Sequence, residues 1–156
     1  MAIAVGEKVP AFTLPANNGE SVSLKDYEGK NIILYFYPKD MTPGCTTQAC
    51  DFRDYSEELE KHDAVILGVS PDPVARHEKF IEKYNLPFLL LSDEEHQVSE
   101  LFDVWKLKKN FGKEYMGIVR STFVIDKEGK LAKEWRKVKV ADHVKEVFDY
   151  IAAELS

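Results

Sequence analysis

The sequence predicts an α/β fold: a central mixed sheet flanked by helices, with a small β-hairpin ahead of it. Three observations carry this. Four short apolar runs, at 32–37, 65–69, 88–91 and 122–125, read as strands, and unbroken runs of this kind sit in sheets buried on both faces. Stretches with apolar residues at helical spacing alternate with those runs. A turn over 126–129 joins the fourth run to a fifth at 131–135, closing the chain's sheet with an antiparallel pair. Strand–helix–strand stretches supply parallel neighbours, so the sheet is mixed.

Taken in order, 12–14 and 22–24 flank the turn cluster Pro-Ala-Asn-Asn-Gly-Glu and predict the N-terminal hairpin. After the strand at 32–37, Ala49, Phe52, Tyr55 and Leu59 give an apolar stripe that begins at Cys45. Asp72 followed by Pro73 reads as an N-cap with a first-turn proline. His77, Phe80, Ile81 and Tyr84 form the stripe behind it, which makes His77 a packed core residue rather than a ligand. Ser92 and Glu95 have capping-box spacing and lead to Val98, Leu101, Phe102 and Trp105. The Lys-rich stretch 106–119 reads as a solvated loop. Asp142 caps a last helix carrying Val144, Val147, Phe148, Ile151 and Leu155 on one face. There is no internal repeat or low-complexity linker, and 1–156 reads as one domain.

Of the 156 residues, 44% are hydrophobic and 31% charged, which excludes a disordered chain. The net charge of −6 argues against sequence-independent nucleic-acid binding, which needs a basic face. No apolar run is long enough to span a bilayer, and the N-terminus lacks the basic and apolar regions of a signal peptide. The expected location is the cytoplasm. The four His are scattered and none adjoins the two Cys, so the residues point to no metal site.

The chemistry is concentrated in 35–50. A buried strand ends near Tyr37, a short loop follows, and Cys45 falls where a helix begins. The carboxyl end of a central strand is where α/β proteins place ligands. A thiol at a helix start meets unpaired backbone N–H groups and the positive end of the helix dipole, both of which favour the nucleophilic thiolate. The alternative is a thiol that merely packs. Cys50 lies about 7.5 Å further along an intact helix and about 140° round it. A disulfide needs Cα atoms within about 7 Å. The two sulfurs therefore meet only if the first turns of the helix unwind, which excludes a permanent bridge and leaves a transient one.

This segment resembles the active site of a peroxiredoxin. The family pattern Pro-x-x-x-Thr-x-x-Cys is matched by Pro38, Thr42 and Cys45, and Cys50 five residues on resembles the bacterioferritin-comigratory-protein branch, also called peroxiredoxin Q. The resemblance extends over nearly the whole chain. It implies a thioredoxin-like fold with an N-terminal extension. It also implies Arg120, just ahead of the strand at 122–125, as a further active-site residue. The implied activity is thiol-dependent reduction of hydrogen peroxide and organic hydroperoxides. Cys45 attacks the O–O bond and becomes a sulfenic acid, and Cys50 resolves it as an intramolecular disulfide. Thioredoxin, or sometimes glutaredoxin, reduces that disulfide, and no metal or organic cofactor takes part. The implied protein is a monomer. Thr42 is expected to donate its hydroxyl hydrogen to the peroxide, Arg120 to supply fixed charge and several donors, and Pro38 to shield the sulfur from water. Many relatives carry Glu where this chain has Gln48, which can still hydrogen-bond but brings no charge.

Two other readings compete. A thioredoxin-like disulfide reductase would have Cys-x-x-Cys and a proline ahead of the strand at 122–125, where this chain has Val119, Arg120 and Ser121. A redox sensor or a binding module would use or pack Cys45 without turnover.

Overall fold

Strand β3 (Asn31–Phe36) is buried along its whole length. The computed structural model describes residues 3–155, and β3 is the middle strand of its five-stranded sheet. The other four strands are β4 (Ala64–Ser70), β5 (Leu89–Ser92), β8 (Ser121–Ile125) and β9 (Leu131–Trp135), in the order β5-β4-β3-β8-β9. The β3–β4 and β4–β5 pairs are parallel; β3–β8 and β8–β9 are antiparallel. The mixed sheet and its closing hairpin match the expectation.

Alternate residues of β3 feed two cores, as the two-residue period of a strand requires. Ile33 and Tyr35 face helices α1 (Pro43–Glu60), α2 (Val74–Tyr84) and α4 (His143–Glu154), packing with Phe52, Phe80, Val147 and Ile151. Ile32, Leu34 and Phe36 face the opposite layer. There they meet Phe102 and Phe123, the short helix α3 (Gln97–Leu101), and the N-terminal hairpin of β1 (Thr13–Pro15) and β2 (Ser21–Ser23). A wholly buried Phe side chain contributes on the order of 2–3 kcal/mol of transfer free energy, so Phe36, Phe52, Phe80, Phe102 and Phe123 dominate both layers.

Four local expectations are corrected. Pro73, not Asp72, is the N-cap of α2, and the Asp72 carboxylate instead accepts the backbone N–H of Asp40. Ser92 ends β5 and forms no capping box. The first turn of α3 is held by Asp93, which accepts from the backbone of Val98 and Ser99 and from the Ser99 hydroxyl. Trp105 lies outside α3 and opens a strand. The stretch 106–119 is no loop: β6 (Trp105–Asn110) and β7 (Lys113–Ile118) form a hairpin closed by Phe111 and Gly112, both at positive φ (52° and 77°). Two such residues make the tight turn whose twist suits a hairpin. Asp142 does precede α4, but from a left-handed conformation with no side-chain capping bond. No described helix is long and apolar enough to cross a membrane.

Candidate active site

The site sits where β3 gives way to α1. Beyond Phe36 the chain stays tied to the sheet, since the Tyr37 N–H donates to the Val69 carbonyl at 3.0 Å. Residues 38–42 then turn the chain. Met41 takes a left-handed conformation (φ 62°), and Thr42 is extended at the N-cap. Pro43 opens the helix, where its missing N–H costs nothing and its ring pre-sets φ. The first α1 bond runs from Thr46 N–H to the Thr42 carbonyl at 2.8 Å. The Gly44 and Cys45 N–H groups lie ahead of it, at the positive end of the helix.

Cys45, in the first turn, is 2% exposed. Arg120, between β7 and β8, reaches it from the segment leading into β8: Nη2 donates to Cys45 Sγ at 3.2 Å and Nη1 to Gln48 Oε1 at 2.5 Å. The fork of one guanidinium thus spans one turn of α1. Gln48 is wholly buried and holds Arg120 without neutralising it, so the whole positive charge of the guanidinium acts at the sulfur. Lys108 adds a second cation nearby. Burial, and then the Arg120 charge, hold its ammonium below the usual range, while Cys45 opposes the shift.

The Thr42 hydroxyl donates to the Lys39 carbonyl at 3.0 Å. Its hydrogen is therefore engaged within the loop, and the oxygen keeps its lone pairs to accept. Pro38 is half-buried at the start of the same loop. Cys50 is half-buried and unbonded, in the same unbroken helix as Cys45. Burial pushes its thiol up; Arg53 opposes this, and Asp54 and Asp51 add to it. The structure brings together Cys45, Arg120 and Gln48, sets Thr42 at the same helix start, and keeps Cys50 apart.

Two histidines escaped the sequence reading as polar features. His77 is in the core, as expected, but there it pairs with Asp40. His143, at the start of α4, contacts Thr122 Oγ1 through Nε2 at 2.8 Å and meets the Trp135 ring edge-on. Burial, and then the nearby Arg120 charge, lower its pKa to about 4. The free value is about 6.5, so the unfolded chain takes up a proton between those limits that the folded chain resists. Stability is complete above about pH 6.5 and declines toward pH 4, by about 3 kcal/mol if the whole shift is expressed. The urea midpoint should fall over that window, and His143→Gln should flatten the fall. An unchanged slope in the variant would remove His143 as its source.

A concavity of about 530 Å³ at the opposite end of β3, beside Ile32 and Ile125, holds none of these residues. The model of the AhpC/TSA family matches residues 5–134. Peroxiredoxin Bcp of Bacillus subtilis is 68% identical over 146 residues, spanning 94% of this chain and 93% of the relative. The chain belongs to the AhpC/TSA family, as a peroxiredoxin. Peroxiredoxin Bcp of Escherichia coli K12 is 44% identical over 149 residues, 96% of each chain. Among solved structures, a Cys-to-Ser variant of Xylella fastidiosa PrxQ superposes with a TM-score of 0.94 at 33% identity, covering 100% of this chain and 99% of that one. The Xanthomonas campestris bacterioferritin comigratory protein, studied for its alkyl peroxide reduction, superposes with a TM-score of 0.91 at 39% identity, covering 98% and 100%. The thioredoxin-like fold expected of a peroxiredoxin is thus the fold of this chain.

Proposed function

We propose that this peroxiredoxin reduces hydrogen peroxide and organic hydroperoxides with Cys45 as nucleophile. The observation that carries the reading is the 3.2 Å contact from Arg120 Nη2 to Cys45 Sγ at the start of α1. The thiolate attacks one peroxide oxygen, the O–O bond breaks, and the sulfur is oxidised to sulfenic acid. The departing oxygen takes up a proton and leaves as water or alcohol. Arg120 and the Gly44 and Cys45 N–H groups are donors aimed at oxygens that gain charge as that bond breaks. Thr42 Oγ1 accepts the peroxide's O–H hydrogen, which fixes the orientation of attack. Pro38, which has no N–H to offer, limits water at the sulfur.

Cys50 then attacks the sulfenic sulfur, forming the disulfide and releasing water. The helix start must unwind first, because five helical residues hold the sulfurs about 7.5 Å apart along the axis. Unwinding also relieves the burial that pushes the Cys50 thiol up. A dithiol protein, thioredoxin or glutaredoxin, reduces the disulfide, and the enzyme works as a cytoplasmic monomer without metal or organic cofactor.

The test is the rate of oxidation by hydrogen peroxide and by an organic hydroperoxide, with intact mass recorded before and after. Fast oxidation with loss of two hydrogens is expected; slow oxidation would leave a packed or sensing thiol. Cys50→Ser should complete a single oxidation, gain oxygen rather than lose hydrogen, and stop turning over with thioredoxin. Sustained thioredoxin-dependent turnover in that variant would take the resolving role from Cys50.

A further inference from the structure

Asp40 has no part in the chemistry above, yet its side chain is wholly buried in the middle of the loop that presents Thr42 and Cys45. Its backbone N–H donates to Asp72 Oδ2. One carboxyl oxygen accepts from the Tyr37 hydroxyl at 2.5 Å, and the other lies 2.6 Å from His77 Nδ1. The opposite ring nitrogen, Nε2, lies 3.0 Å from the Leu91 carbonyl. A carbonyl only accepts, so Nε2 carries a hydrogen. If that were the ring's only hydrogen, Nδ1 and a carboxylate would face each other with lone pairs. The short contact therefore contains one further proton, and the pair is neutral as a unit, as deep burial requires.

We propose that the Asp40–His77 pair is the fixed anchor against which the start of α1 unwinds. It positions Thr42 and Cys45 for the peroxide step, and it keeps residues 37–40 in place while 43–50 come apart. The inference rests on the Cys45–Cys50 reading above. Three observations support it. His77 belongs to α2, which packs on the sheet beside β5 and takes no part in bringing the cysteines together. Met41, directly after the anchor, holds a left-handed conformation that a side chain disfavours, so the bend between anchored loop and helix falls on one residue. Beyond Met41 the polar attachments to the rest of the fold thin out, although Cys45 and Ala49 still pack in the core. Thr42 makes no side-chain capping bond, and Gln48 Nε2 has no partner among the described residues. The side-chain ties from the rest of the fold to this turn are those of Arg120 to Cys45 and Gln48.

Asp40 and His77 are thus positioning residues, and their effect divides between the two steps. Asp40→Ala should slow oxidation of Cys45 by hydrogen peroxide by about tenfold or more, because small displacements of a nucleophile cost that much. It should not slow the disulfide-forming step, which starts from the unwound helix. Asp40→Asn can still accept from Tyr37 and donate to Nδ1, and should stay within about threefold of the wild type in the peroxide step. Stopped-flow Trp fluorescence, with mass analysis of quenched samples, separates the two steps. Wild-type oxidation of Cys45 in Asp40→Ala would overturn the proposal. So would equal slowing of both steps, or an Asn variant as impaired as the Ala variant.

Should Asp40→Ala fail to fold, hydrogen exchange on the wild-type protein decides. In the oxidised form the amides of Tyr37 and Asp40 should stay protected while those of 46–50 lose protection. An Asp40 amide that loses protection with the helix would overturn the anchor. If the oxidised protein has not lost two hydrogens, the resolving role of Cys50 has failed instead, and the peroxide rates of the variants still judge the pair.

Discussion

Replacing Cys45 by Ser should abolish peroxide turnover, a loss on the order of 10⁴-fold or more, and leave the fold intact. A serine hydroxyl is smaller than the thiol and can accept the same Arg120 donor, so the 2% exposed position tolerates it. What it lacks is an ionised form at neutral pH and a soft, readily oxidised nucleophilic atom. The chain supplies its own control in Cys50, a second thiol in the same helix. Cys50 lies outside the first turn, and burial pushes its thiol up. If helix residence alone made a cysteine reactive, Cys45→Ser would retain oxidation at Cys50. Peroxide consumption with a small dithiol as reductant, alongside circular dichroism of the variant, makes the measurement. Turnover above about a hundredth of the wild type in a folded variant would end the assignment of Cys45 as nucleophile.

Much of the frame was legible because both faces of its central strands are buried. Residues 32–37, 65–69 and 122–125 are apolar at nearly every position, and no helix or half-exposed strand asks for that. The helical stripes were equally plain, except that the third ran on to Trp105, which opens a strand. What failed was local chemistry overruled by tertiary contacts. Asp72 has cap-forming chemistry but spends its carboxylate on the Asp40 N–H. Ser92 has capping-box spacing but lies inside a strand, while Asp93 next to it holds α3. The 105–118 hairpin was hidden because its turn places Phe111 at a positive φ that sequence patterns assign to Asn, Asp or Gly.

In the site, the helix-start position of Cys45 could be argued from pattern and physics, whereas Arg120 came from the family resemblance. Nothing within the reach of a local pattern joins residues 72 or 75 positions apart. The Asp40–His77 pair shows the same limit from the other side. His77 reads as core because it lies on an apolar stripe, and it is core; its polar partner arrives from a loop 37 residues earlier.

Replacing Arg120 by Ala should slow the peroxide step by about 10²–10³-fold, the range seen when one transition-state donor is removed from a buried site. The loss has two sources. The sulfur loses a charged donor, and the peroxide oxygens lose the charge that favours bond cleavage. Gln48, wholly buried, also loses the partner of Oε1, so the variant should be less stable as well as slower. Arg120→Lys should recover only part of the rate, since an ammonium is a point charge and cannot reach Cys45 and Gln48 together as the planar fork does. Lys108 is a poor substitute, because the bond from its ammonium to the Ile118 carbonyl at 2.6 Å holds it in place away from the sulfur. Alkylation of Cys45 by iodoacetamide separates the two sources, because it needs the thiolate but breaks no O–O bond. The expected result is a larger fall in peroxide reactivity than in alkylation. Equal falls would mean that Arg120 acts on the sulfur alone, and the backbone N–H groups of Gly44 and Cys45 would then carry the developing charge on the oxygens.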